Sequence, residues 1–190
     1  MTATENAQLV PRARATVLGI GNPLMGDDGV GITLLEQLMR LDLGQDVELV
    51  DGGTIGLSLL PIVLDAESLL VLDAVAGPSA GTVVKLSGDQ LPRLLRTKLS
   101  PHQVGLLDVL ASARLLGQEP SRIAVVGVVP AYVDMHVGLS SKVAAALPQA
   151  LELAQRVLRD WGASEKDARA LDRDSRREGG QPCSITSTSR

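Results

Sequence analysis

Two adjacent acids, Asp27 and Asp28, sit in the glycine-rich stretch GIGNPLMGDDGVG, Gly19 to Gly31. A third acid, Asp73, closes the apolar run LLVLD, and one of only two histidines, His102, stands in SPHQVGLLDVL. Two carboxylates and an imidazole make a mixed oxygen and nitrogen donor set, suited to a divalent ion such as nickel or zinc. Each residue also has a plainer use. An aspartate beside a helix start commonly caps it, an aspartate ending a strand is often structural, and a histidine before a helix more often caps or packs than ligates. One cap needs one acid, so the second aspartate of the pair is the excess to be explained.

A glycine loop of this kind first suggests a phosphate cradle. The dinucleotide fingerprint G-x-G-x-x-G uses its third glycine to pack a helix against a strand. Gly19 and Gly21 fit, but the third place is Leu24, and the next glycine is Gly26. Asp51, at the end of the second apolar run, has the position of a ribose-binding acid. Asp27 and Asp28, however, stand near the helix N-terminus where a pyrophosphate would bind, and they oppose it. No G-x-x-x-x-G-K-[ST] sequence occurs. A nucleotide-dependent α/β enzyme is therefore the weaker alternative.

Other catalytic devices fare no better. Cys183 is the only cysteine and lies in a polar tail, a poor setting for a nucleophile. GLSLL is not a G-x-S-x-G elbow, and H-E-x-x-H is absent. Asp28 and Asp73 lack the D-T/S-G surroundings of an aspartic dyad.

The elements that must carry these residues are legible from apolar spacing. TVLGI, VELV, LLVL, TVVKL and RIAVVGVV read as strands. Val30, Leu34, Leu35, Leu38 and Leu41 recur at helical spacing, as do Ile55, Leu59, Leu60 and Val63. Gln103–Leu116 and Ser140–Trp161 read as further helices, with Ser140 as an N-cap. LLVL is apolar on both faces, as in a strand covered by helices on both sides, whereas TVVKL alternates like an antiparallel edge strand. The β-α-β-α-β order predicts a three-layer α/β/α sandwich with a mostly parallel twisted sheet and one antiparallel edge strand. Sites in such sheets lie beyond the carboxyl ends of the strands. That rim is where Asp28, Asp73 and His102 are expected to converge.

A chain of 190 residues suits one domain. Residues 15–162 carry the periodic pattern, 1–14 read as a flexible N-terminal segment, and 163–190 as a disordered, charged and then Ser/Thr-rich tail. One Trp, one Tyr and no Phe leave the core to aliphatic residues and leave little for base stacking. With a net charge of −4, a nucleic-acid partner is not expected. No apolar run reaches the length of a membrane span and no secretory signal is recognisable, so the expected location is cytoplasmic, with no membrane partner.

The run LGIGNPLMGDDGVG resembles the N-terminal signature of the hydrogenase maturation proteases, the endopeptidases that trim the large subunit of nickel-iron hydrogenases. VELVDGGTIGLSLL, LLVLDAV, GTVVKL, LSPHQVGLLDVL and VVGVVP resemble that family's later blocks in the same order, covering Val17 to Leu158. The resemblance implies that Asp28, Asp73 and His102 are the metal-contacting positions, with Asp27 at most in support. His136, in DMHVGLS, receives no role. It further implies that the metal is nickel supplied by the large-subunit precursor rather than held as a resident cofactor, and that the reaction removes a short C-terminal extension. Whether that metal polarises the scissile carbonyl, or only marks the substrate while a carboxylate activates water, stays open. A non-catalytic nickel-binding maturation chaperone would use the same three ligands.

Overall fold

A computed structural model describes residues 15–88 and 101–163, with the side chains of 101–104 outside the description. The N-terminal segment 1–14 and the tail from 164 onward, for which flexibility and disorder were expected, lie outside the described residues, as does Cys183. Ala163, expected to begin the tail, is instead buried against the core, its amide bonded to Leu158 O at 3.0 Å.

Five strands form one sheet in the order β2-β1-β3-β5-β4: β1 (Ala15–Ile20), β2 (Val47–Gly53), β3 (Ser68–Ala74), β4 (Val83–Ser87) and β5 (Arg122–Val128). All neighbours run parallel except β4, which pairs antiparallel with β5 at the sheet edge. The alternating run was thus the antiparallel edge, and the continuously apolar run LLVL lies mid-sheet, buried along the whole of β3. β1 is likewise buried throughout.

Helices cover both faces. Helix α1 (Val30–Met39) and α4 (Ser141–Asp160) pack on one, through Leu34, Leu35, Leu38, Ala150, Ala154 and Leu158, against Val17, Leu70, Leu72 and Val126. The short α2 (Leu60–Asp65) and α3 (Pro101–Leu115) pack on the other, through Val63, Leu106, Val109 and Ala113, against Leu18, Leu69, Val71 and Val125. Successive residues of β1 and β3 therefore feed opposite cores, as the period of two requires.

The packing glycine sought at Leu24 exists, but seven residues later. Gly31 lies in the first turn of α1, and a Cβ there would fall on the carbonyl oxygens of Ile20 and Leu72. The absence of a side chain lets α1 lie directly on the backbone of β1 and β3. Two segments also extend beyond their expected ends. β2 continues through Asp51, Gly52 and Gly53, pairing with β1 across an irregularity at Gly19/Ile20, and α3 starts at Pro101 rather than Gln103.

Because the atoms opposing a methyl at position 31 are backbone, they have little freedom to yield. Gly31→Ala is expected to destabilise the domain by about 3 kcal/mol, the upper end for overpacking, and to lower Tm by about 10 °C. Thermal unfolding followed by circular dichroism checks this, and an unchanged Tm would show that α1 is not seated by this contact.

Candidate active site at the carboxyl rim of the sheet

β1 and β3 are adjacent and parallel, with Gly19 opposite Leu72, so their carboxyl ends finish side by side. Asp73 lies one residue past that pair, near the end of β3, and is 1% exposed. Its Oδ1 accepts from Ala74 N at 2.7 Å. Leu69, Val71 and Val75 face α2 and α3, so alternation directs Asp73 to the same face.

The chain leaving β1 turns through Gly21-Asn22-Pro23 into a single 3-10 turn, Gly26–Gly29, that carries both acids. Gly21 has φ 131, and a Cβ there would strike the carbonyl of Asp28, so only glycine lets the loop fold back so closely. Asn22 organises the return. Its amide donates to Asp28 Oδ2 at 2.9 Å, its side-chain oxygen accepts from Leu24 N at 3.0 Å, and its carbonyl accepts from Met25 N at 2.9 Å. Asp28 is 3% exposed. Asn22 was not singled out in the sequence, although an asparagine before proline is a known former of side-chain-closed turns.

Neither acid caps α1, whose N-cap is Gly29 and which has no side-chain cap. Asp27, fully buried, serves a different helix. Its Oδ1 accepts from Ser140 N at 2.6 Å, and its Oδ2 from Ser140 Oγ and Ala131 N at 2.8 Å each and from Tyr132 N at 3.4 Å. Ser140 is the expected N-cap of α4, accepting from Val143 N at 3.3 Å. A buried carboxylate requires such compensation, and the positive end of α4 adds to it.

His102 falls in the first turn of α3, and its side chain lies outside the described residues. The backbone nonetheless fixes where that turn sits. At Gly105 the helix meets Gly56, in the loop after β2, so closely that a Cβ on Gly105 would stand 2.9 Å from Gly56 Cα. Gly53, at the end of β2, pairs with Ile20. The start of α3 therefore stands at the carboxyl rim, on the face toward which Asp73 points. Among the described residues no three His, Cys, Asp or Glu side chains come together as a metal site. The pair that does share the rim is Asp28 and Asp73.

Two other residues weighed in the sequence have local duties. Asp51 is exposed on β2 and its Oδ1 accepts from Gly53 N at 2.9 Å, at the end of the same strand. His136 acts through its backbone: its carbonyl accepts from Gly26 N at 2.7 Å and its amide donates to Leu24 O at 3.0 Å. Its ring meets Tyr132 edge to face, with centroids 5.7 Å apart. His136 thus braces the acid loop from outside.

The fold and rim define a three-layer α/β/α protein whose buried acids gather where parallel strands end. The chain belongs to the hydrogenase maturation protease family, whose model matches residues 32–157, and it is accordingly a hydrolase. It is 38% identical over 152 residues to the hydrogenase 2 maturation protease of Escherichia coli (strain K12), covering 78% of this chain and 93% of that protein. It is 42% identical over 153 residues to the hydrogenase expression/formation protein HupD of Rhodobacter capsulatus, covering 78% and 73%. Among solved structures it superposes on the hydrogenase-maturating endopeptidase HybD from E. coli with a TM-score of 0.74 and 37% identity, over 78% of this chain and 94% of that one. The HybD maturation protease from Thermococcus kodakarensis gives 0.64 and 26%, over 76% and 98%.

The Gly56–Gly105 contact offers a test of how the start of α3 contributes. Gly105→Ala forces the helix off the β2 loop and carries position 102 with it. Proteolysis is expected to slow by at least about tenfold, since small misplacements at a site are costly, with the helix still formed by circular dichroism. Wild-type activity in a folded Gly105→Ala protein would remove the first turn of α3 from the site.

Proposed function

We propose that this protease removes a short C-terminal extension from the large-subunit precursor of a nickel-iron hydrogenase, and that it recognises nickel already carried by that precursor. The observation that carries the reading is the burial of Asp28 and Asp73 at the adjacent ends of β1 and β3. Family membership supplies the hydrolytic chemistry, and the relatives named as hydrogenase maturation proteins supply the kind of substrate.

Two carboxylates buried on one rim form a region that favours a cation, because burial strengthens charge interactions relative to water. In this reading Asp28, Asp73 and an imidazole from His102 meet nickel as part of the substrate. Carboxylate and imidazole suit such an ion. When present, the ion supplies charge neutralisation and polarisation of the nearby carbonyl. What this chain contributes is an acid able to take a proton from water, with Asp73 or Asp28 as the base, on a rim held by strand ends rather than by a free loop. Asp27 takes no part in proton transfer, since both its oxygens are engaged by Ala131, Tyr132 and Ser140. Among the described residues no helix is long and apolar enough to cross a membrane.

The test mixes purified protease with nickel-loaded and nickel-free precursor and follows the mass of the large subunit. Cleavage of the loaded form alone is expected. Efficient cutting of the nickel-free form, or a tightly held zinc required for activity, would refute recognition through nickel. Binding of the loaded precursor without any mass change would favour a chaperone.

Substitution sorts the residues. Asp73→Asn keeps size and a hydrogen-bonding oxygen but removes the charge, and should cost about 10²-fold or more in processing with the fold retained. His102→Ala should be impaired far more than His136→Ala, because His136 acts through backbone groups that alanine keeps. Equal impairment would bring a second imidazole into the reaction.

A further inference from the structure

Asp27 is a buried acid that the proposed chemistry leaves unused, and its hydrogen bonding exceeds what capping a helix requires. Helix α4 already has a complete N-cap in Ser140, whose Oγ accepts from Val143 N. Yet Asp27 also takes the Ser140 amide and hydroxyl, and reaches back to the amides of Ala131 and Tyr132 just after β5. One carboxylate thereby joins the acid loop, the connection leaving β5 and the first turn of a 20-residue helix. The bond partners are 104 to 113 residues away in sequence. On the outer side the same loop is held by the backbone of His136, bridged to Met25. Asp28 is the next residue on the same four-residue turn, so any rotation of the turn that releases Asp27 also displaces Asp28.

We propose that Asp27 is a positioning residue for proteolysis: by gathering Ala131, Tyr132 and Ser140 onto one carboxylate, it fixes Asp28 at its place on the rim. The kinetic part rests on the proposed protease reading, while the geometric part has its own gauge in the Asn22 amide bonded to Asp28 Oδ2 at 2.9 Å.

Three variants separate positioning from stability. Ser140→Ala removes the hydroxyl donor and leaves the three backbone donors. Asp27→Asn keeps the shape but turns an amide group toward donors that need an acceptor. Ala154→Gly destabilises the same helix about 20 Å along its axis from Ser140, away from the acid loop. Each is measured for Tm, for amide hydrogen exchange at Asn22, and for kcat and KM on the precursor at a temperature where all are folded. Ser140→Ala is expected to speed Asn22 exchange and to lower kcat by about fivefold, with KM unchanged. Asp27→Asn is expected to lower kcat by about 10²-fold. Ala154→Gly should lower Tm while Asn22 exchange and kcat stay at wild-type values. If Ser140→Ala behaves like Ala154→Gly once their Tm losses are matched, Asp27 is a structural anchor only and the proposal falls. Should Asp27→Asn fail to fold, that comparison decides alone. A wild-type protein that cleaves no precursor overturns the protease reading, and the exchange arm still decides the clamp.

Discussion

The parallel pairing of β1 with β3, in register from Thr16/Leu69 to Gly19/Leu72, is the constraint on which the rest of the molecule depends. Both strands are buried on two faces, so each is apolar through its middle, Val17–Leu18 in β1 and Leu69–Leu72 in β3, and its acids stand near or past its carboxyl end. Parallel strands finish at the same edge. Asp73 near the end of β3 and the loop acids after β1 are therefore brought to one rim by the sheet. Had β3 run antiparallel to β1, Asp73 would lie at the opposite edge from Asp28.

The register also explains the helix placement. With α1 lying on the backbone at Gly31, the loop between β1 and α1 has little slack, and its glycines serve that short return rather than a phosphate. The acids then sit at the start of α1 without capping it. On the opposite face α3 approaches the loop after β2 through a second close contact of glycines. The rim is thus flanked by helices seated directly on backbone atoms.

Much of this was legible because it is local. Continuous apolarity in LLVL gave a doubly covered strand, alternation in TVVKL gave the antiparallel edge, and the Ser140 cap required only its neighbours. Strand order alone places the carboxyl ends of β1 and β3 at one edge. What escaped the sequence depends on distant partners. Asp27 looks like a local cap, but its donors lie more than a hundred residues away, and nothing in GDDG points to Ala131 or Ser140. Asp51-Gly52-Gly53 has the composition of a turn, yet it continues β2 because β1 supplies the pairing. Gly31 was passed over because the dinucleotide pattern fixes the packing glycine by count, whereas the geometry requires only that a glycine meet the strand where the helix crosses it.

The paired acids illustrate why one motif can serve both scaffold and chemistry. A lone buried carboxylate has two ways to be tolerated: saturation by donors within the chain, or a position that a cation or reacting proton will complete. Residues adjacent on a 3-10 turn point in different directions, so one turn can offer one acid to each use. Asp27 is directed into the protein and satisfied by backbone amides and a hydroxyl, while Asp28 is held near the strand ends through Asn22. Under the proposed reading this division has an electrostatic consequence. The charge that holds the loop is compensated by the helix end and four donors, and so competes little for an arriving metal. Asp28, bonded to the Asn22 amide, is in that reading the acid that meets the substrate. The second aspartate of the motif is thus accounted for by a partition of roles that neither acid alone would supply.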